Sequence, residues 1–204
     1  MKKILMILLA ISGIEGAFAG SFISNHLIMN IDKDIVEDYI SSLKLRAIGL
    51  YDNEHPMNYL LCEKRTDQQD MEYGIFLGKK ISKELSKPVL YTLIHDSDIL
   101  ILVFFVDGEI SFQYDSWPGY WDGEDQIPDI SDSANLASFF DIDNEELNRV
   151  LKLEIFEEDY IFAEDLLEKI RNMLDISEYV YLGYTYAKEI KDEIIGYGYT
   201  YKEW

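Results

Sequence analysis

The segment Val89–Asp115 constrains this chain more than any other. Val89 to His95 is an apolar run, Asp96-Ser97-Asp98 reads as a turn, and Ile99 to Val106 is almost wholly apolar. A strand with no polar alternation predicts a central position in a sheet, buried on both faces. Asp107-Gly108 predicts a two-residue hairpin, because Gly tolerates positive φ. Glu109 to Asp115 then alternates, with Ile110, Phe112 and Tyr114 on one side and Glu109, Ser111 and Gln113 on the other. That is the pattern of a half-exposed strand. Three consecutive strands joined by tight turns imply antiparallel pairing.

The flanking segments supply helices. Asp32 to Leu43 reads as helical, with Asp34 and Glu37 at capping-box spacing and Ile35, Tyr39, Ile40 and Leu43 on one face. Ala47–Tyr51 and Asn58–Cys62 read as strands, and the polar stretch 63–72 as an exposed loop. Ile75 to Lys87 is predicted helical on Leu77, Ile81 and Leu85, and Pro88 ends it. Ser133–Phe140 reads as a short helix. Asp143 and Glu146 cap another, through Leu153, with Leu147, Val150 and Leu151 inward. A further helix, Tyr160 to Leu174, places Phe162, Leu166, Ile170 and Met173 on its apolar side. Two Tyr-rich segments, Tyr179–Tyr186 and Ile194–Tyr201, read as closing strands around a polar stretch, 188–193. No linker of domain-boundary character interrupts the chain. The expected fold is therefore one α+β domain over residues 1–204, mostly antiparallel sheet with flanking helices.

Residues 1–19 admit two readings. Met1-Lys2-Lys3, the apolar run Ile4–Ile11 and the small-x-small triplet Ala17-Phe18-Ala19 resemble an export signal cleaved after Ala19. Glu15 beside the cleavage point favours instead a buried strand, a Gly13–Gly16 turn and a second strand from Ala17 to Ser24. The run is too short to span a bilayer, and no other segment is long enough. The single cysteine, Cys62, rules out an internal disulfide and lies in an apolar run, as a buried thiol would. A chain without cysteine pairs fits a reducing compartment, so the expected location is cytoplasmic, with export as the alternative.

Charge narrows the partners. Residues 1–100 carry 14 acidic against 11 basic side chains, whereas residues 101–204 carry 25 against 7. Between Asp122 and Glu168 sixteen acids face only Arg149 and Lys152. Nucleic acid is excluded on sign, since phosphate binding needs basic surface. A basic protein partner fits, and no membrane surface is implied. The aromatic-acidic stretch from Trp117 to Asp132 concentrates the signal. Trp117, Tyr120 and Trp121 offer rigid contact area, and Asp122, Glu124, Asp125, Asp129 and Asp132 offer electrostatic steering. The competing reading folds those aromatics back as a lid on the sheet.

Catalytic signatures are missing. There is no Gly-x-Ser-x-Gly elbow, no Gly-x-Gly-x-x-Gly and no Walker A sequence. The acidic runs do not match the spacing of a calcium loop. No catalytic residue, metal ligand or cofactor is expected. His95, Asp96 and Asp98 form the densest polar cluster at a strand end. They are turn chemistry on one reading, and a metal-dependent or hydrolytic centre on the alternative.

The arrangement His95 to Asp98, an apolar strand, Asp107 to Glu109, a strand, then Tyr114 to Trp121 resembles a bacterial protein family with no established activity. The Gly-Tyr-x-Tyr ending is similar too. The likeness covers about a third of the chain and carries no site residues across. Acidic, cysteine-poor α+β proteins of this kind are often immunity proteins for bacterial toxins, so the resemblance implies a non-enzymatic toxin inhibitor acting by protein–protein binding.

Overall fold

A computed structural model describes residues 20–52, 55–156 and 161–204. Both readings of residues 1–19 lie outside the described residues, but the strand expected from Ala17 to Ser24 reaches into them: residues 20–22 are not in a strand, and Ser24 lies in one that runs on from Ile23 to Met29. Eight strands form one sheet. They are β1 (Ile23–Met29), β2 (Ala47–Tyr51), β3 (Asn58–Glu63), β4 (Val89–His95), β5 (Ile99–Val106), β6 (Glu109–Asp115), β7 (Asp129–Ser131) and β8 (Thr200–Glu203). The spatial order is β7-β6-β5-β4-β1-β3-β2-β8, and every neighbouring pair is antiparallel. Seven helices flank the sheet among the described residues. They are α1 (Lys33–Leu43), α2 (Met71–Leu85), α3 (Ser133–Phe140), α4 (Asn144–Leu151), α5 (Ala163–Leu174), α6 (Tyr184–Glu189) and α7 (Lys191–Gly196). The fold is α+β, built on an antiparallel sheet.

The unbroken apolar run of β5 now has its cause. Leu100, Leu102 and Phe104 point into a core shared with α3 to α7, while Val103 and Phe105 point into a second core with α1 and α2. A sheet sandwiched between two helical layers has no wet face at its centre, so its middle strands lose their alternation. β6 lies farther out and keeps it, burying Phe112 and Tyr114 and exposing Gln113. Ile110 was expected to share that buried face. A register shift between Phe104 and Phe105 turns the start of β6 outward, and Ile110 is exposed.

Other departures have local reasons. Helix α1 is capped by Asp32, whose carboxylate accepts the Asp34 N–H at 2.8 Å, so the Asp34/Glu37 box is not the cap. Its buried residues are Val36 and Ile40, and Ile35 is 56% exposed. The stretch 63–72 is not an exposed loop. Glu63 is buried, and its Oε2 accepts the Arg65 and Thr66 N–H groups at 2.8 and 3.1 Å. A short 3₁₀ turn (Thr66–Gln68) follows, and Asp70 caps α2 by accepting the Tyr73 N–H. Phe162 precedes α5 and is exposed rather than inward.

The largest departure is at the C-terminus. Tyr179–Tyr186 is not a strand but a 3₁₀ turn (Glu178–Tyr181) running into α6, and β8 begins only at Thr200. Side chains there take the place of a β ladder. The buried Asn25 amide donates to the Val180 and Leu182 carbonyls at 2.7 and 3.0 Å. The Cys62 thiol, buried as expected, donates to the Leu182 carbonyl at 3.3 Å. The Asp67 carboxylate accepts from the Tyr184 and Thr185 N–H groups at the start of α6, and from the Thr185 hydroxyl at 2.6 Å. Backbone groups satisfied in this way need no strand partner.

Candidate partner-binding surface

β6 delivers the chain to the aromatic loop. Ser116 is buried, its N–H donating to the Leu100 carbonyl and its Oγ accepting the Leu100 N–H. Asp115 Oδ1 accepts the Trp117 N–H at 2.9 Å, and the Trp117 indole donates to the Glu124 carbonyl at 2.8 Å. The Gly119 carbonyl takes both the Asp122 and Glu124 N–H groups at 3.1 Å. A Cβ on Gly119 would stand 2.7 Å from Glu124 Cβ, so the closure of this loop depends on glycine there. Proline, glycine and these six hydrogen bonds hold the segment in one shape without regular secondary structure.

That shape sets four aromatic rings and one imidazole in a row. Trp117 meets Tyr120 at 5.2 Å, Tyr120 meets Trp121 at 4.9 Å, Trp121 meets His95 at 5.1 Å, and His95 meets Phe22 at 5.1 Å. All four contacts are edge-to-face, the arrangement that ring quadrupoles favour. The Tyr120 hydroxyl bonds to Asp98, which raises its pKa above the usual phenol range. Trp117 and Tyr120 are half-buried, so part of the lid reading holds. Trp121 is 73% exposed, although the Tyr120 and His95 rings flank it. Phe22 and Met71, both also exposed, extend the apolar area.

The five acids expected as steering groups are all exposed. Asp122, Glu124 and Asp125 follow Trp121 directly. Asp129 sits on edge strand β7 opposite Asp115, and Asp132 leads into α3 with a positive φ of 55°. Of the residues that the sequence singled out, the three aromatics meet ring to ring, and the five acids lie exposed along the chain from the loop through β7 to the start of α3.

Beneath the loop lies a groove of about 380 Å³, which the sequence reading did not anticipate. Cross-strand rows build its floor. Leu93, Ile101 and Asp115 lie opposite one another on β4, β5 and β6, and His95 lies opposite Ile99. Gln69 and Met71 at the start of α2 form one wall, and Trp117 and Trp121 the other. The signal was present in the alternate residues of β4 and β5, but the position at which α2 stops covering that face is set by tertiary packing.

His95, Asp96 and Asp98 form a turn. Asp96 and Ser97 both have positive φ, and the Asp98 N–H donates to the His95 carbonyl at 3.0 Å. Ser97 Oγ accepts the Ser21 N–H and donates to Glu164 at 2.7 Å. The His95 ring is flanked by Phe22 and Trp121. Among the described residues no three His, Cys, Asp or Glu side chains are placed to hold a metal ion. A second polar cluster joins His55 Nδ1 and Ser177 Oγ, each 3.0 Å from Asp52 Oδ2. There the carboxylate, not the imidazole, holds the serine hydroxyl, which is the reverse of the nucleophile–base order.

No described helix is long and apolar enough to cross a membrane. Comparison with protein-family models, with curated proteins and with solved structures finds no match.

Proposed function

We propose that this chain is a non-enzymatic binding protein that takes a basic protein partner on the Trp117–Asp132 surface, and that it serves in the bacterial cytoplasm as an immunity protein neutralising a toxin. The observation that carries this reading is Trp121. An indole with most of its area in water costs solubility unless something covers it, and its supporting rings hold it ready to be covered. The acids around it would raise the encounter rate with a basic surface, while the aromatic anchor would slow dissociation. Covering a basic active-site cleft is a way for a protein of this charge to inhibit an enzyme without any chemistry of its own.

The test is the association rate with the protein encoded by the neighbouring open reading frame, across a salt series. The expected result is a steep fall in rate as salt rises, and a rate lowered about tenfold or more at low salt when Asp122, Glu124, Asp125 and Asp129 are neutralised together. A rate unchanged by those four substitutions contradicts the mechanism.

A further inference from the structure

Resting on that reading of the loop, we infer that the groove beneath it is a receptor for one arginine side chain of the basic partner, with the Asp115 carboxylate as its counter-ion. The floor of Leu93, Ile99 and Ile101 is apolar and suits the methylene stem of a long cationic side chain. The Trp117 and Trp121 indoles line the groove, and a planar guanidinium stacks on an indole better than a compact ammonium does.

Asp115 differs from the exposed acids around it. It lies half-buried on the groove floor, with Oδ1 occupied by the Trp117 N–H and the second oxygen without a partner among the described residues. Burial is the main reason its carboxyl sits above the usual carboxylate range, and Asp129 across the strand pair adds to it. A carboxylate already stripped of part of its water gains more from a cation than a fully hydrated one does. Gln69 lines the same groove, and its side-chain oxygen and nitrogen are both shielded from solvent without a hydrogen-bond partner among the described residues. A turn of that side chain would bring its Oε1 to a guanidinium as a second acceptor.

The deciding experiment is a titration of ¹⁵N-labelled protein with N-acetyl-arginine amide, followed at the Trp117 and Trp121 indole N–H signals. Saturable shifts at both indoles are expected. Binding should weaken about tenfold or more with N-acetyl-citrulline amide, which keeps the shape and lacks the charge. The same loss is expected with Asp115→Asn, which keeps the oxygen that holds the Trp117 N–H and so keeps the loop intact. Equal binding of the citrulline probe, equal binding by Asp115→Asn, or shifts confined to other parts of the protein would each overturn the inference. The probe contains no partner protein, so the two readings fail separately. Arginine bound in the groove would uphold the receptor even if Trp121→Ala left a partner's association unchanged. A groove indifferent to arginine would remove the receptor even if that variant abolished association.

Discussion

Trp121 meets the Tyr120 and His95 rings and leaves most of its surface in water, so replacing it should cost the fold little. Trp121→Ala is expected to change unfolding free energy in urea by less than about 0.5 kcal/mol, as surface substitutions do, while a partner's dissociation rate rises steeply. A stability loss of several kcal/mol would place the ring in the core instead. His26 is the opposite case. It is fully buried, stacks on Tyr91 at 4.9 Å and bonds through Nε2 to the Gly74 carbonyl at 2.8 Å. Burial lowers its pKa from 6.5 to about 4. The unfolded chain therefore takes up the proton first, and His26 costs stability progressively as pH falls from about 6.5 to about 4, by roughly 3 kcal/mol in all. Glu63 and Asp115 have carboxyls raised by burial, which works in the other direction, so the His26 contribution is read as a difference. Wild type should lose more stability than His26→Gln between neutral pH and pH about 4.5. Parallel losses would show that the imidazole is not the group responsible.

At the scale of elements, helix α2 is held close to the sheet by two glycines. A Cβ at Gly74 would stand 2.3 Å from the Tyr91 ring, and one at Gly78 would stand 2.5 Å from the Phe105 ring. Alanine favours a helix interior over glycine by about 1 kcal/mol, but forcing a methyl against a buried aromatic costs about 1–3 kcal/mol, so packing decides the sign. Gly78→Ala should lower the urea midpoint, and a raised midpoint would mean the helix shifts freely. In the 3₁₀ turn just before α2, Asp67→Ala removes three hydrogen bonds to the start of α6 and should cost about 1–2 kcal/mol. The same two regions show where the sequence was legible. Strands β2 to β6 could be read because their signals are local, namely apolar runs, alternation and Asp-Gly turns. The Tyr-rich ending alternates no less well, yet Tyr179–Tyr186 is turn and helix. Its backbone is satisfied by Asn25 and Asp67, which lie more than a hundred residues away along the chain. Nothing in a local pattern encodes such partners. The aromatic loop was legible as a composition anomaly. The groove under it was not, since it exists only where α2 leaves the sheet uncovered.

For the whole molecule, charge and shape act together. A net charge of −21 keeps the chain repelling its own copies and steers it toward cationic surfaces. Trp117, Tyr120 and Trp121 lie in the more acidic half of the chain and are followed directly by exposed acids, so the electrostatic and apolar terms address neighbouring surface. The most direct test is to express the neighbouring open reading frame in a foreign host, alone, with this chain, and with a variant carrying Trp121→Ala and Asp115→Asn. Growth arrest should be relieved by the wild-type chain and not by the variant. No growth arrest, arrest that the wild-type chain does not relieve, or full relief by the variant would contradict the assignment of immunity to this surface.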